Sequence, residues 1–184
     1  MKKIAFLGLS SVLALILFST ILGTVVPGSG EAYSQAKTKI AILGKISKEQ
    51  SARRFEYLFP QLTQRFREAF SQDERFDVIP AEELDQAMAK AGIEKGKMNP
   101  DDAAQLRKIG KEAGADLIFV SYYYEMGGHA MPMHSNNVFI LAWVDKEEMA
   151  KIDRDYSKIL SEKELISSDE MGLKELTKKM ESML

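Results

Sequence analysis

The run from Phe76 to Glu125 does most to limit what this chain can fold into. A short strand, two helices and a long aromatic strand follow one another there with almost no spare residues. Phe76 to Ile79 reads as a strand. Pro80 stops it and is placed to open a helix, with Glu82, Glu83 and Asp85 near the positive end of the helix dipole. Leu84, Met88 and Ala91 then fall on one side, and Gly92 ends the helix. In the next helix Asn99 is the predicted cap, Pro100 takes the first helical position, and Asp101 and Asp102 complement the dipole. Ala103, Leu106, Ile109 and Ala113 form its buried stripe, and Gly114 closes it. Leu117 to Glu125 is apolar and aromatic throughout, which predicts a strand.

The flanks extend this pattern. Thr38 to Ile46 is an Ile-rich apolar run suited to a strand buried on both faces. Ser47 with Gln50 three residues later forms a candidate capping box, and Phe55, Leu58, Phe59, Leu62, Phe66 and Phe70 recur at helical spacing. Pro60 interrupts that stripe, so the helix is expected to kink or begin anew there. On the other side, Val138 to Asp145 is a predicted strand that forms a hairpin with the aromatic one across a loop. A segment from Tyr156 to Ile166 alternates loosely and is a third. Leu173, Leu176, Met180 and Met183 mark a closing helix whose ends are tied only by packing. The order β-α-β-α-α-β-β-β-α predicts an α/β fold, with a mixed sheet of about five strands flanked by about four helices.

The amino terminus sets the compartment. Met1-Lys2-Lys3 is positive, Ile4 to Leu22 is largely apolar, and a small, polar stretch rich in Gly and Ser follows to Ala36. This is the layout of a secretory signal peptide. Ser34-Gln35-Ala36 is the preferred processing site and Gly30-Glu31-Ala32 the next, so residues 1–36 are read as the leader and 37–184 as one domain. Counted through Val26, the apolar run also reaches the roughly 20 residues that span a bilayer, which leaves an uncleaved anchor open. Either way the remainder is expected to be periplasmic or secreted, touching the membrane only through its amino-terminal segment. The chain has no cysteine, which excludes an acylated cysteine, a disulfide framework and a thiolate metal site. A formal net charge of −2 gives no electrostatic case for nucleic acid.

A strand ending in Phe76-Asp77-Val78-Ile79 leads into a helix, and a helix reading DAAQLRKIGKEAGAD then runs straight into a strand. This pattern resembles the periplasmic domain family that includes the curli secretion channel CsgG, the amino-terminal domain of TolB and the outer-membrane activators of penicillin-binding proteins. The family's Gly-Ala-Asp is present as Gly114-Ala115-Asp116, while Pro80 and Ala81 stand where an Arg is usual. The resemblance spans most of residues 38 to 183 and implies a non-enzymatic role in envelope assemblies, in which the domain meets another protein through a sheet edge or a helical face. The acylated cysteine and barrel-forming insertions of channel-forming members are missing from the sequence, which argues against a pore. The corner residues also have a local reading: Gly114 permits a left-handed turn, Ala115 allows close approach, and Asp116 bonds to local backbone donors.

Two groups of residues are candidate sites. Gly127 to His134 is read as a loop holding both histidines of the chain, and His129, Met131, Met133 and His134 together offer the imidazole and thioether donors that suit Cu(I) or Ag(I). The ordinary alternative is a solvated or partner-facing loop in a chain with ten methionines. The second group is Tyr122, Tyr124 and Trp143. Alternation places Tyr122 and Tyr124 on one side of their strand and Tyr123 on the other, and Trp143 on the neighbouring strand is a candidate to join the first pair as a partner-binding face. As the only Trp, it is of a kind that more often belongs to the core. No catalytic residues are assigned. Both histidines lie in one loop, no serine sits in a nucleophile elbow, and Glu82-Glu83, Asp101-Asp102 and Glu147-Glu148 are better explained by helix dipoles and solvation. The expectation is an exported, non-enzymatic interaction module of the cell envelope, bound to an envelope protein or to itself; the alternative is a periplasmic soft-metal binder.

Overall fold

Hydrophobic patterning and helix punctuation together produce a five-stranded sheet in the order β2-β1-β3-β4-β5. The computed structural model describes residues 36–47, 55–94, 97–128, 131–159 and 161–181. Residues 1–35 of the expected leader and the Gln50 half of the proposed capping box lie outside them. The strands are β1 (Thr38–Ser47), β2 (Phe76–Val78), β3 (Leu117–Gly128), β4 (Met131–Trp143) and β5 (Met149–Asp155), and the helices are α1 (Phe59–Ser71), α2 (Ala81–Lys90), α3 (Ala103–Ala113) and α4 (Glu162–Glu181). β1 pairs in parallel with β2 and β3, while β3, β4 and β5 form an antiparallel meander. The element order and the mixed α/β architecture are those expected from the sequence.

Two apolar layers sandwich the sheet. On one face Ile40, Ile42, Leu117, Phe119, Phe139 and Ile152 pack under Phe59, Leu62, Phe66 and Phe70 of α1 and Leu165 and Leu176 of α4. Phe66 meets Phe119 and Phe139 edge-on, with ring centroids 5.2 and 6.1 Å apart, a favoured arrangement for aromatic pairs. On the opposite face Ala41, Ile118, Val120, Tyr122 and Ile140 meet Leu84 and Met88 of α2 and Leu106 and Ile109 of α3.

Several boundaries differ from the sequence reading for identifiable reasons. Ser47 is the last residue of β1; α1 begins at Phe59, with Pro60 in its first turn where no amide donor is needed, and a short 3-10 turn at Glu56–Leu58 precedes it. Pro80 is the cap residue of α2 and not its first helical one. In α3 the cap is Asp102, whose carboxylate accepts from the amides of Ala104 and Gln105 at 3.0 Å, while Asn99 accepts from the Asp101 amide in the turn before. Two cap-competent residues stood three apart, and the second satisfies the orphan amides. Asp116 bonds at long range: its carboxylate accepts from the Lys39 amide at 2.8 Å, and its own amide donates to the Lys39 carbonyl at 2.9 Å, so the Gly-Ala-Asp corner, with Gly114 at φ 65°, docks β3 onto β1.

The carboxy-terminal third differs most. The expected loop before Val138 is largely strand, since β3 and β4 pair from Leu117↔Trp143 to Gly128↔Met131. The expected strand at Tyr156 to Ile166 is replaced by β5 at Met149–Asp155, whose inward residues are Ala150 and Ile152. Residues 162–181 belong to α4, opened by a capping box in which the Glu164 amide donates to Ser161 Oγ at 3.3 Å and the Ser161 amide to Glu164 Oε2 at 3.1 Å. The closing helix is therefore tied at its start by more than packing.

Candidate functional site

Among the described residues, topology leaves about one quarter of the sheet, the β5 side of one face, uncovered. α4 lies over β4 and β5 on the face that carries Ala150 and Ile152. On the other face, α2 and α3 cover β1, β3 and part of β4. The residues of β5 that point to this second face, Met149, Lys151, Asp153 and Asp155, are exposed, and Met149 is 42% accessible.

Tyr122 and Tyr124 lead from the core onto this open quarter. Tyr122 is 1% exposed and packs with the α2–α3 layer, while Tyr124 is half-buried, its ring stacked on that of Tyr122 at 6.0 Å. The Tyr122 hydroxyl donates to Asp101 Oδ1 at the start of α3, and the Lys151 ammonium reaches the same oxygen at 3.4 Å. Burial, and then the Asp101 carboxylate, push the Tyr122 hydroxyl well above the ordinary tyrosine pKa. Beside it Asn136 Nδ2 donates to the Tyr124 hydroxyl at 3.1 Å and to Asp153 Oδ1 at 3.0 Å. Asp101, Asn136, Lys151 and Asp153 thus frame the aromatic pair with mixed charge. Sequence reading missed these four because they come from a helix start and two strands; only the period-2 charge pattern of β5 hinted at the last two.

Trp143 does not join them. It pairs with Leu117, so it sits at odd register positions with Phe119, Phe139 and Leu141 and packs against the α1–α4 layer. The Lys146 ammonium lies 4.5 Å from its ring centroid. Tyr123 faces that same layer, opposite to Tyr122 and Tyr124. Of the expected trio, the structure brings together Tyr122 and Tyr124 only.

The expected histidine and methionine loop is mostly strand in its backbone. Met131 to His134 open β4, and His134 pairs with Met126, while His129 lies outside the described residues. Among the described residues no group of three or more His, Cys, Asp or Glu side chains is placed to hold a metal ion.

Arg67 of α1 donates to the carbonyls of Ile42, midway along β1, and Ile79, just after β2, both at 2.9 Å. Burial lowers its pKa, opposed by Glu82 and Asp85. This guanidinium ties α1 to the middle of β1 and the end of β2 and so serves the fold.

A second polar cluster is fully internal. Asn137, Tyr156 and Asp169 are all buried, and Asn137 Nδ2 and the Tyr156 hydroxyl both donate to Asp169 Oδ1, at 2.8 and 2.5 Å. Ser121 Oγ donates to Asn137 Oδ1 at 3.3 Å. This network pins α4 to β3 and β4.

No family model matches the chain, and no curated protein matches it. Solved structures of similar shape include the carboxy-terminal domain of LpoB from Salmonella enterica, with 12% identity and a TM-score of 0.45, covering 67% of this chain and 85% of that one. The same domain from Escherichia coli gives 16% identity and a TM-score of 0.42, covering 70% and 89%. A lipoprotein from Neisseria meningitidis gives 14% and 0.36, covering 79% and 99%. Likenesses of this degree carry no argument about activity or partner. No helix among the described residues is long and apolar enough to cross a membrane.

Proposed function

We propose that this chain is an exported, non-enzymatic interaction domain of the cell envelope, and that it binds a folded protein through the open quarter of its sheet. The observation that carries the reading is the Tyr122–Tyr124 stack, which runs out of the core onto an uncovered sheet face framed by Asp101, Asn136, Lys151 and Asp153. A tyrosine with a packed ring and a wet hydroxyl suits a partner surface that is apolar opposite the ring and of mixed charge around it. The amino-terminal leader supports a site of action outside the cytoplasm, in the periplasm or beyond. The sequence resemblance to the periplasmic domain family that includes the outer-membrane activators of penicillin-binding proteins is in keeping with this role.

The test places a photo-crosslinking amino acid at Met149, on the open quarter, and at Glu112, exposed on α3, in the full chain expressed in its own host. A discrete adduct with another envelope protein at 149, absent at 112 and lost when Tyr124→Ala and Asp153→Ala are added, is the expected result. Equal labelling at both positions, or an adduct indifferent to the two substitutions, refutes the reading.

The competing proposal, Cu(I) or Ag(I) held by His129, Met131, Met133 and His134, is separated by anaerobic Cu(I) titration against a competing chelator. Tight binding that is lost when the four residues are replaced by Ala would assign metal handling in place of protein binding.

A further inference from the structure

We propose that two copies of this chain pair edge to edge through β5, antiparallel about Ile152, extending the two sheets into one. β5 is an edge strand with β4 as its neighbour. Its residues Ala150, Ile152 and Arg154 pair with Leu141, Phe139 and Asn137 of β4. Hydrogen bonds from the Trp143 amide to the Glu148 carbonyl and from the Tyr156 amide to the Ser135 carbonyl set the phase of that ladder. In an antiparallel ladder the bonded residues alternate, so the amides and carbonyls of Met149, Lys151 and Asp153 point away from β4. The Lys151 carbonyl accepts from the Lys179 ammonium at 3.2 Å, which confirms the outward direction.

Charge selects the partner and the register. Along β5 the outward-bonding residues run Met149, Lys151, Asp153, Asp155. Edge strands usually use charge to repel further strands, but a mixed sequence attracts its own copy in one alignment. Antiparallel pairing centred on Ile152 puts Lys151 opposite Asp153 of the second copy, and Asp153 opposite its Lys151. Sliding one way by a register step that preserves hydrogen bonding puts Lys151 opposite Lys151; sliding the other way puts Lys151 opposite Asp155 but sets Asp153 against Asp153, so only the register centred on Ile152 gains both Lys–Asp pairs without a like-charge contact. Unlike charges directly opposite stabilise a strand pair and like charges oppose it. The favoured register has a twofold axis at Ile152, as an isologous dimer requires. Seven-residue strands bury less than the roughly 1,200 Å² typical of stable assemblies, so the dimer is weak and concentration-dependent. Lys179 must yield the Lys151 carbonyl to the incoming amide.

The chain has no cysteine, so introduced thiols report register directly. Full-length Lys151→Cys and Asp153→Cys chains, carrying tags of different size, are oxidised alone and mixed. In the proposed register the mixture brings Cys opposite Cys at the ~5.5 Å Cα separation of a bonded pair, within disulfide range, and keeps one Lys–Asp pair. Each chain alone would have to bridge a diagonal of about 7–8 Å. The mixture should therefore cross-link about tenfold more than either chain alone, in keeping with the geometric limit on disulfides. Dominant cross-linking of either single variant, or none at concentrations where the unsubstituted chain sediments as a dimer, overturns the proposal. Sedimentation of the unsubstituted chain is the second readout. Dimer lost as salt rises supports charge-selected pairing; a monomer at every concentration, or association strengthened by salt, overturns it. None of these results affects a position-dependent adduct with a different protein at Met149.

Discussion

Replacing Asp169 with Ala should loosen α4 from the sheet. Asp169 is 2% exposed, and its Oδ1 takes hydrogen bonds from Asn137 Nδ2 and the Tyr156 hydroxyl at 2.8 and 2.5 Å. Removing the carboxyl leaves two buried donors without that acceptor, each worth about 1–3 kcal/mol if wholly orphaned. The Asn137 donor keeps a partner, because Nδ2 already donates to the Tyr156 hydroxyl oxygen at 3.3 Å, whereas the Tyr156 hydroxyl proton loses its acceptor. The expected loss is therefore about 2–4 kcal/mol, below the sum of two full penalties. For a chain of this size that lowers Tm by roughly 5–15 °C. Urea denaturation followed by the fluorescence of Trp143, the only Trp, measures it. Tyr156→Phe removes one donor and keeps the ring, and should cost about 1–2 kcal/mol. The double variant should fall short of the sum of the two, because both act on one network. A D169A chain within about 0.5 kcal/mol of the unsubstituted one, the range of an ordinary surface change, would refute the view that this network fastens α4.

Gly172 on α4 faces Phe139, and a Cβ there would lie 2.5 Å from Phe139 Cε2. That ring is packed against Phe66 and Phe119, so Gly172→Ala should destabilise by about 1–3 kcal/mol in urea titration despite its better helix propensity; a stabilised variant would show that α4 shifts freely. Asp116→Ala removes the acceptor for the Lys39 amide at 2.8 Å and should cost about 1–2 kcal/mol, with Asp116→Asn recovering most of it; equal losses in the two variants would count against the hydrogen bond as the cause. Burial, and then Asp169, raise the pKa of Tyr156, so the folded chain holds a proton that the unfolded chain releases above the ordinary value of about 10. That contribution is complete below about pH 10 and is lost as pH rises above it. Denaturation midpoints should fall across that range more steeply for the unsubstituted chain than for Tyr156→Phe; parallel curves would contradict it.

The parts of the fold that the sequence announces are those in which one residue type performs one physical task. Gly114 takes the left-handed turn after α3, Pro60 occupies the first turn of α1, and the Phe stripe of α1 is buried at each expected position. Where two residues compete for a task, the boundary moves: Asn99 and Asp102 both cap, and only the second meets the amides of α3. Long-range partners leave no local mark. Asp116 reads as a turn residue although its partner, Lys39, lies on the first strand. The capping box of Ser161 and Glu164 lies inside the segment from Tyr156 to Ile166 whose loose alternation reads as a strand, and that reading hides it.

The beginning of β4 reads as loop because Gly127 and Gly128 precede it and Ser135, Asn136 and Asn137 look like turn residues. Each is polar for a reason that only the tertiary structure supplies. Asn137 faces α4 and joins Tyr156 and Asp169 inside the core, whereas Asn136, one residue away and on the other face, joins Tyr124 and Asp153 on the open quarter. The period of two that normally separates core from solvent here separates two polar networks, so alternation by hydrophobicity cannot detect the strand. The same feature explains why the candidate site was only half visible. Its tyrosines stand in a strongly apolar strand, while Asn136 stands on a stretch of β4 whose inner face is also polar and Asp101, Lys151 and Asp153 come from a helix start and a different strand. Fastening α4 on one face through Asn137, Tyr156 and Asp169, with β5 bare on the other, is what leaves Tyr124, Lys151 and Asp153 open to a partner.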